Sequence, residues 1–344
     1  MFTLRQYLLA LLDSRGLTRT LGEIDVCRDE QGRPCFSAGN SAAVFRIRLG
    51  GRIRSLRCYL RPMRHLKEIY GQRLLEKELY LHTSPETGVW VDTVLGDWIE
   101  GSTLHETVAQ AAALRDRESL QILVRLFDRL ALALVTDDRA HGDLKPENII
   151  VGDDGTLCPI DFDASYLPAF AGEISPELGT AAYQHPARTA ADFDERIDDY
   201  PAALISTALH ALAENPTLWD RYGSSDGLLY TPQRIASDPA YRETLALFEK
   251  RGMAVQYRIA QLLTAPTLRL FGLAELLAEA VREKPAVRSG TEAEMPELFV
   301  ENGRWGYRTA ERVVVAPLYD NGFDFTEGLA AVQLGGTWHY IDTA

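Results

Sequence analysis

The sequence is short of positive charge. Its 36 Lys and Arg are outnumbered by 49 Asp and Glu, a net charge of −13. A surface this acidic repels phosphate backbones and anionic headgroups, so nucleic acid and membrane are not expected partners. Any nucleotide site must gather local positive charge against that background. Cysteine is scarce as well. The four at 27, 35, 58 and 158 show neither CxxC spacing nor disulfide density and read as free thiols of a reducing cytoplasm. No apolar run approaches the roughly 18 residues of a transmembrane helix. The stretch Phe2 to Leu12 contains Arg5 and Gln6 and lacks the apolar core of a secretory leader, so it reads as an amphipathic helix. These features together predict a cytoplasmic location.

What remains is ordinary globular composition, 46% hydrophobic and 25% charged over 344 residues, enough for one large or two medium domains. After a lead-in over 1–35, residues 36–62 read as strands. Val44, Phe45 and Ile47 form one β-rich segment, Gly50-Gly51 signals a turn, and Ile53 to Leu60 forms the next. Leu66, Ile69, Tyr70, Leu74 and Leu79 carry helical spacing, which predicts a helix over 66–81. Residues 89–99 return to strand character, and from 104 the chain reads mostly as helix, most clearly over Leu120 to Val135. A small strand-rich region thus precedes a larger helical one, and the cleft between two such regions is a common ligand site. Residues 284–297 read as a polar linker, with Lys284-Pro285 and Ser289-Gly290 as its turn signals.

Beyond the linker, aromatics and glycines dominate and a short pattern recurs. Gly303-Arg304-Trp305-Gly306-Tyr307 returns as Gly336-Thr337-Trp338-His339-Tyr340, an offset of 338 − 305 = 33 residues. Such periods mark modular repeats. The tail, residues 298–344, resembles WG-repeat proteins, whose units are short β-hairpin modules; His339 stands in place of the usual second glycine. Trp305 and Trp338 are expected to pack a core. The resemblance implies a tail that binds a protein partner or braces the preceding domain.

The chemistry-bearing residues lie in the middle of the chain. His141-Gly142-Asp143-Leu144-Lys145-Pro146-Glu147-Asn148 is followed, across a turn at Gly152-Asp153-Asp154-Gly155, by Asp161-Phe162-Asp163. Phosphoryl transfer needs a carboxylate to orient the attacking hydroxyl, a cation to neutralise phosphate charge, and positive charge on the transferring group. This run holds all of these residue types and resembles the catalytic loop and metal-binding segment of Ser/Thr-type protein kinases. The resemblance implies Asp143 as base, Lys145 near the γ-phosphate, and Asn148 and Asp161 as magnesium ligands, with ATP as the phosphate donor. Ile150 would floor the adenine site. Leu178 to Pro186 resembles the end of a kinase activation segment, the platform for a protein substrate. Asp198 resembles the buried Asp that ties down the catalytic loop.

Upstream the pattern departs. Ala38 to Val44 stands where the family has a Gly-rich loop but holds only Gly39, with Val44 placed to cover adenine. Arg57 replaces the usual lysine, and on a strand it shares a face with Ser55. Its expected helix partner is Glu76, with Glu78 and Glu68 as competitors. Val94 to Gly101 resembles the inter-lobe hinge: backbone groups of Asp97 and Ile99 would hold adenine, and Gly96 would open a back pocket. Gly142 replaces an arginine that usually reads a phosphorylated activation loop, which predicts no activating phosphate between Ala164 and Thr180. Asp163 replaces a glycine, and Ala187 a glutamate.

The resemblance covers 36–283, most like bacterial eukaryotic-like kinases. It implies an α+β, two-lobed protein-kinase-like fold, with N-lobe 36–96, C-lobe 100–283 and a β-rich repeat tail. The expected activity is an ATP- and magnesium-dependent Ser/Thr protein kinase. Arg57 and the sparse glycine loop also suit a nucleotide-binding or scaffolding pseudokinase. Gly142 and Asp163 also suit a small-molecule kinase of the aminoglycoside-phosphotransferase type.

Overall fold

The computed structural model describes residues 1–152, 155–282, 296–309, 312–325, 329–334 and 337–342. It divides the chain into two compact units, Met1–Arg282 and Glu283–Ala344. Asp153 and Asp154 of the expected turn and all but the end of the expected linker lie outside the described residues. The architecture is mixed: a strand-rich part, a helical part and a small β tail. Among the described residues no helix is long and apolar enough to cross a membrane.

The first unit begins with helix α1 (Leu4–Leu12), capped at Thr3, whose hydroxyl accepts from the Gln6 N–H while the Gln6 side chain returns the bond. Strands β1 (Asp25–Val26), β2 (Phe36–Ala38), β3 (Ala42–Leu49) and β4 (Arg52–Tyr59) follow. Gly50 and Gly51, at φ 55° and 79°, make the two-residue hairpin between β3 and β4; only glycine takes both positions freely. Next come α2 (Leu66–Tyr70), β5 (Leu74–His82) and β6 (Gly88–Asp97), giving the antiparallel order β1-β3-β4-β6-β5 with β2 beside β3. Period-2 alternation sends Phe45 and Ile47 of β3 and Leu56 and Cys58 of β4 to one face, where they bury against Tyr7 and Leu11 of α1. Ser55 and Arg57 share the other face.

The expected helix over 66–81 is not what forms. α2 ends at Tyr70, followed by Gly71 at φ 54°, and residues 74–82 become β5. Pairing with β6 outweighs the 3–4 spacing of the apolar residues. A bulge between Leu75 and Leu79, with Lys77 at φ 50°, accommodates the irregular register.

The helical part holds β7 (Gly101–Thr103), α3 (Leu104–Leu114), α4 (Arg117–Thr136), β8 (Ile149–Gly152), β9 (Leu157–Pro159), α5 (Asp199–Glu214), α6 (Leu218–Tyr222), α7 (Pro239–Arg251), α8 (Ala254–Leu262) and α9 (Leu273–Arg282). α4 buries Leu120, Leu123, Val124, Phe127, Ala131 and Val135, an i, i+3, i+4, i+7 stripe. α5 is buried over nearly its whole surface and forms the centre of this core. Its Ser206 and His210 reach Asp128 of α4 at 2.7 and 2.8 Å, which satisfies a buried carboxylate. β7, β8 and β9 form a small antiparallel sheet, and residues 160–198 hold only short 3₁₀ turns and one bridge, from Tyr166 to Ala140.

In the tail, β10 (Glu297–Glu301), β11 (Arg304–Arg308) and β12 (Val313–Tyr319) form one sheet; β13 (Asn321–Gly322), β14 (Leu329–Leu334) and β15 (Thr337–Asp342) form another. Tyr307 is fully buried among Leu298, Val315, Tyr319 and Phe325, and its hydroxyl donates to the Phe323 carbonyl at 2.8 Å. Trp305, expected in the core, is only half-buried, whereas Tyr307 two residues on is fully buried. The Trp338 side chain lies outside the described residues.

Candidate functional site

Residues 141–148 form a loop fixed from three sides. Ala140 exchanges main-chain bonds with Tyr166, which pins the loop's start to the 160–166 segment. Asp198, just before α5, accepts the N–H groups of His141 and Gly142. The His141 ring accepts the Asp143 N–H at Nδ1 and donates from Nε2 to the Ile160 carbonyl at 2.8 Å, which fixes its tautomer. Gly142, at φ 81°, has its backbone so close to Ala164 that a Cβ would lie 2.0 Å from the Ala164 carbonyl oxygen.

With the loop held, Asp143, Lys145 and Asn148 converge. Asp143 Oδ1 accepts the Thr180 N–H at 2.6 Å. Its Oδ2 lies 3.2 Å from Asn148 Nδ2 and 3.3 Å from Lys145 Nζ. Lys145 also donates to the Thr180 hydroxyl at 2.8 Å. The Asn148 NH₂ is committed to Asp143, which leaves its oxygen as the atom available to a cation. Ile160 N–H bonds the Asn148 carbonyl, so Asp161 emerges beside Asn148. Asp161 is itself left-handed at φ 69°, a conformation a carboxylate residue tolerates at some cost. A carboxylate and a carboxamide oxygen are hard donors of the kind magnesium takes, with water and phosphate completing its shell.

Arg57 reaches this segment from β4. Its Nε and Nη2 bond one oxygen of Asp163 at 3.0 and 2.7 Å, and Nη2 also contacts Asp161. The second Asp163 oxygen accepts the Tyr59 and Tyr70 hydroxyls at 3.1 and 2.6 Å. Burial works against the Arg57 charge, but Asp161 and Asp163 outweigh it and hold the guanidinium above its ordinary pKa. Burial also raises the phenols of Tyr59 and Tyr70, so both remain donors.

The expected pairing of Arg57 with Glu76 is therefore corrected. Glu76 lies exposed on β5, 3.7 Å from Lys67. Glu68 is exposed on α2. Glu78 is buried, but it accepts the N–H groups of Arg19, Thr20 and Leu21 at 2.8 to 3.1 Å, and so ties the lead-in to β5. What α2 supplies to the site is the Tyr70 hydroxyl.

The remaining expected residues line the adjoining strands. Val44 pairs with Arg57 across β3 and β4, and Val94 of β6 pairs with Arg57 on the other side. Gly39 donates to the Ala42 carbonyl in the β2–β3 turn. A Cβ there would sit 3.9 Å from that oxygen, so the turn does not demand glycine. Asp97 ends β6; its carbonyl accepts the Ser55 hydroxyl at 3.1 Å, and its carboxylate pairs with Arg54. Ile99 follows β6, and Ile150 lies half-buried on β8. The expected opening at Gly96 is filled: a Cβ there would meet the Ser55 hydroxyl at 2.8 Å.

Besides Tyr59 and Tyr70, two further contributors were not expected from the sequence. Thr180 supplies both a main-chain donor and a hydroxyl to the Asp143–Lys145 pair. Arg188, buried and lowered in pKa by that burial, donates to the Gly142 carbonyl at 3.0 Å. It places a cation behind the loop where Gly142 has none.

Comparison with known proteins adds one family model and two partly similar relatives. Residues 308–338 match the WG containing repeat. Over 172 residues, 47% of this chain, the sequence is 28% identical to CBL-interacting protein kinase 17 of Oryza sativa subsp. japonica. Over 113 residues, 31% of the chain, it is 34% identical to the serine/threonine-protein kinase PknL of Mycobacterium tuberculosis. These matches span 35% and 27% of the two relatives' own lengths.

Proposed function

We propose that the first unit is a protein-kinase-like phosphotransferase of the Ser/Thr type that uses ATP and magnesium. The observation carrying this reading is the convergence of Asp143, Lys145, Asn148 and Thr180, with Asp161 emerging alongside. Partial similarity to two protein kinases, one of them named a serine/threonine-protein kinase, supports it. In the proposed reaction a substrate hydroxyl gives its proton to the Asp143 carboxylate as its oxygen bonds the γ-phosphorus. The bond from γ-phosphorus to the bridging oxygen breaks, and ADP leaves. Lys145 stabilises charge on the transferred group, and Arg57 binds phosphate. Asn148 and Asp161 would hold magnesium, which neutralises the phosphates when bound. Val44 and Ile150 would sandwich adenine, with main-chain groups of Asp97 and Ile99 at its edge and Gly39 in the turn above the phosphates. The substrate would be a protein, and the repeat tail would bind a protein partner.

Transfer of labelled phosphate from ATP with magnesium tests the reading. Asp143→Ala and Asp161→Asn should each lower turnover by about 10²-fold or more. No transfer by the wild type would overturn it. One contact favours a second reading, a nucleotide-binding module without catalysis: Arg57 occupies Asp161, the expected metal ligand. Nucleotide binding without transfer would select that reading.

A further inference from the structure

Arg57 has two carboxylate partners, and they differ in kind. Asp163 is buried, with its side chain 3% exposed, and both its oxygens are committed: one to two nitrogens of Arg57, the other to Tyr59 and Tyr70. Asp161 has its side chain 39% exposed and meets Arg57 through one nitrogen. A buried charge left without its counter-ion is costly, whereas an exposed pair separates cheaply. The Arg57–Asp163 contact is therefore the permanent one, and the Arg57–Asp161 contact the exchangeable one.

We infer that Asp163 is the anchoring carboxylate of Arg57, filling the place of the missing helix glutamate, so that Arg57 can trade Asp161 for a nucleotide phosphate without losing its counter-ion. The identity of the incoming anion rests on the phosphotransferase reading. Arginine suits the task because its planar fork spends Nε and Nη2 on one oxygen and still has donors to spare; a lysine ammonium has no comparable fixed fork. The Tyr59 and Tyr70 hydroxyls keep the second Asp163 oxygen satisfied through the exchange. Release of Arg57 also frees Asp161 for a cation, so phosphate and cation occupancy favour each other. Asp163 thus acts as a positioning residue through Arg57. The two departures from the kinase pattern, an arginine for a lysine and an aspartate for a glycine, form a compensating pair.

A double-mutant cycle on the full chain tests this, with ATP plus magnesium as the probe and binding read by calorimetry. Asp163→Asn should weaken binding by about 10-fold when Arg57 is present and by less than about 2-fold in an Arg57→Met background. Tyr70→Phe, which keeps the charge pair, should weaken it by about 2- to 5-fold and lose that effect in the same background. It serves alone if Asp163→Asn does not fold. The melting temperature of the ligand-free variants should show the same coupling. Additive effects in both backgrounds would overturn the inference while leaving phosphate transfer intact. Coupled binding without transfer would support the pair and overturn only catalysis. No binding by the wild type would overturn both.

Discussion

Asp198 holds Gly142 by its main chain: the carboxylate accepts the Gly142 N–H at 3.0 Å and takes the neighbouring His141 N–H on its other oxygen. The bond spans 56 residues and orients the loop that carries Asp143. Burial raises the Asp198 carboxyl above its usual pKa, opposed by His141 and those two N–H donors. Asp198→Asn would turn an NH₂ toward one of two buried donors. We expect a loss of about 2–4 kcal/mol in urea unfolding. Faster amide exchange at His141 and Gly142 should accompany it.

The two glutamates of β5 should behave oppositely. Glu78→Ala removes the acceptor of the Thr20 and Leu21 N–H groups and of the Thr20 hydroxyl, while Arg19 N–H keeps the main-chain carbonyl of residue 78, and should cost about 1–3 kcal/mol of stability. Glu76→Ala removes only an exposed contact and should change stability by less than about 0.5 kcal/mol. Neither should alter ATP affinity. A large loss of affinity in Glu76→Ala would restore it as the partner of Arg57.

Asp199, at the start of α5, carries a pH signature. Burial raises its carboxyl to about 7, opposed by the Leu270 N–H at 3.2 Å. Between its unfolded value and about 7 the native state holds a proton the unfolded chain has lost, so stability falls as pH rises through that window. The contribution is complete below about pH 4. Urea titrations from pH 4 to 7 should show this fall, and Asp199→Asn should flatten it.

In the tail, Gly306 is hemmed in by β12: a Cβ would lie 2.7 Å from the Val315 carbonyl and 2.8 Å from Pro317 N. Both obstacles are backbone and cannot swing away. Gly306→Ala should abolish amide-exchange protection in β10, β11 and β12 and leave α4 and α5 unchanged. Protection retained in β11 and β12 would mean that the sheet can shift to admit a methyl group.

Features written within a few residues were legible along the chain. The hairpin at Gly50-Gly51 follows from two adjacent glycines, and α4 from its apolar stripe. The cluster of Asp143, Lys145 and Asn148 lies within one short loop, and the tail announced itself by its period. Other parts depended on residues far apart in sequence. The apolar spacing of 66–81 is compatible with helix, and Gly71 was the only local sign against it. Pairing with β6 made a strand of 74–82, and the bulge at Lys77 set Glu76 outward and Glu78 inward. The sequence raised Arg57 and Asp163 as separate oddities, 106 residues apart. Their union depends on β4 meeting the 161–163 segment and on two tyrosine hydroxyls closing round the carboxylate. Local patterns carry backbone preference and solvent-facing periodicity. The partner of a buried charge depends on which distant segment packs against it, and that is a property of the whole fold.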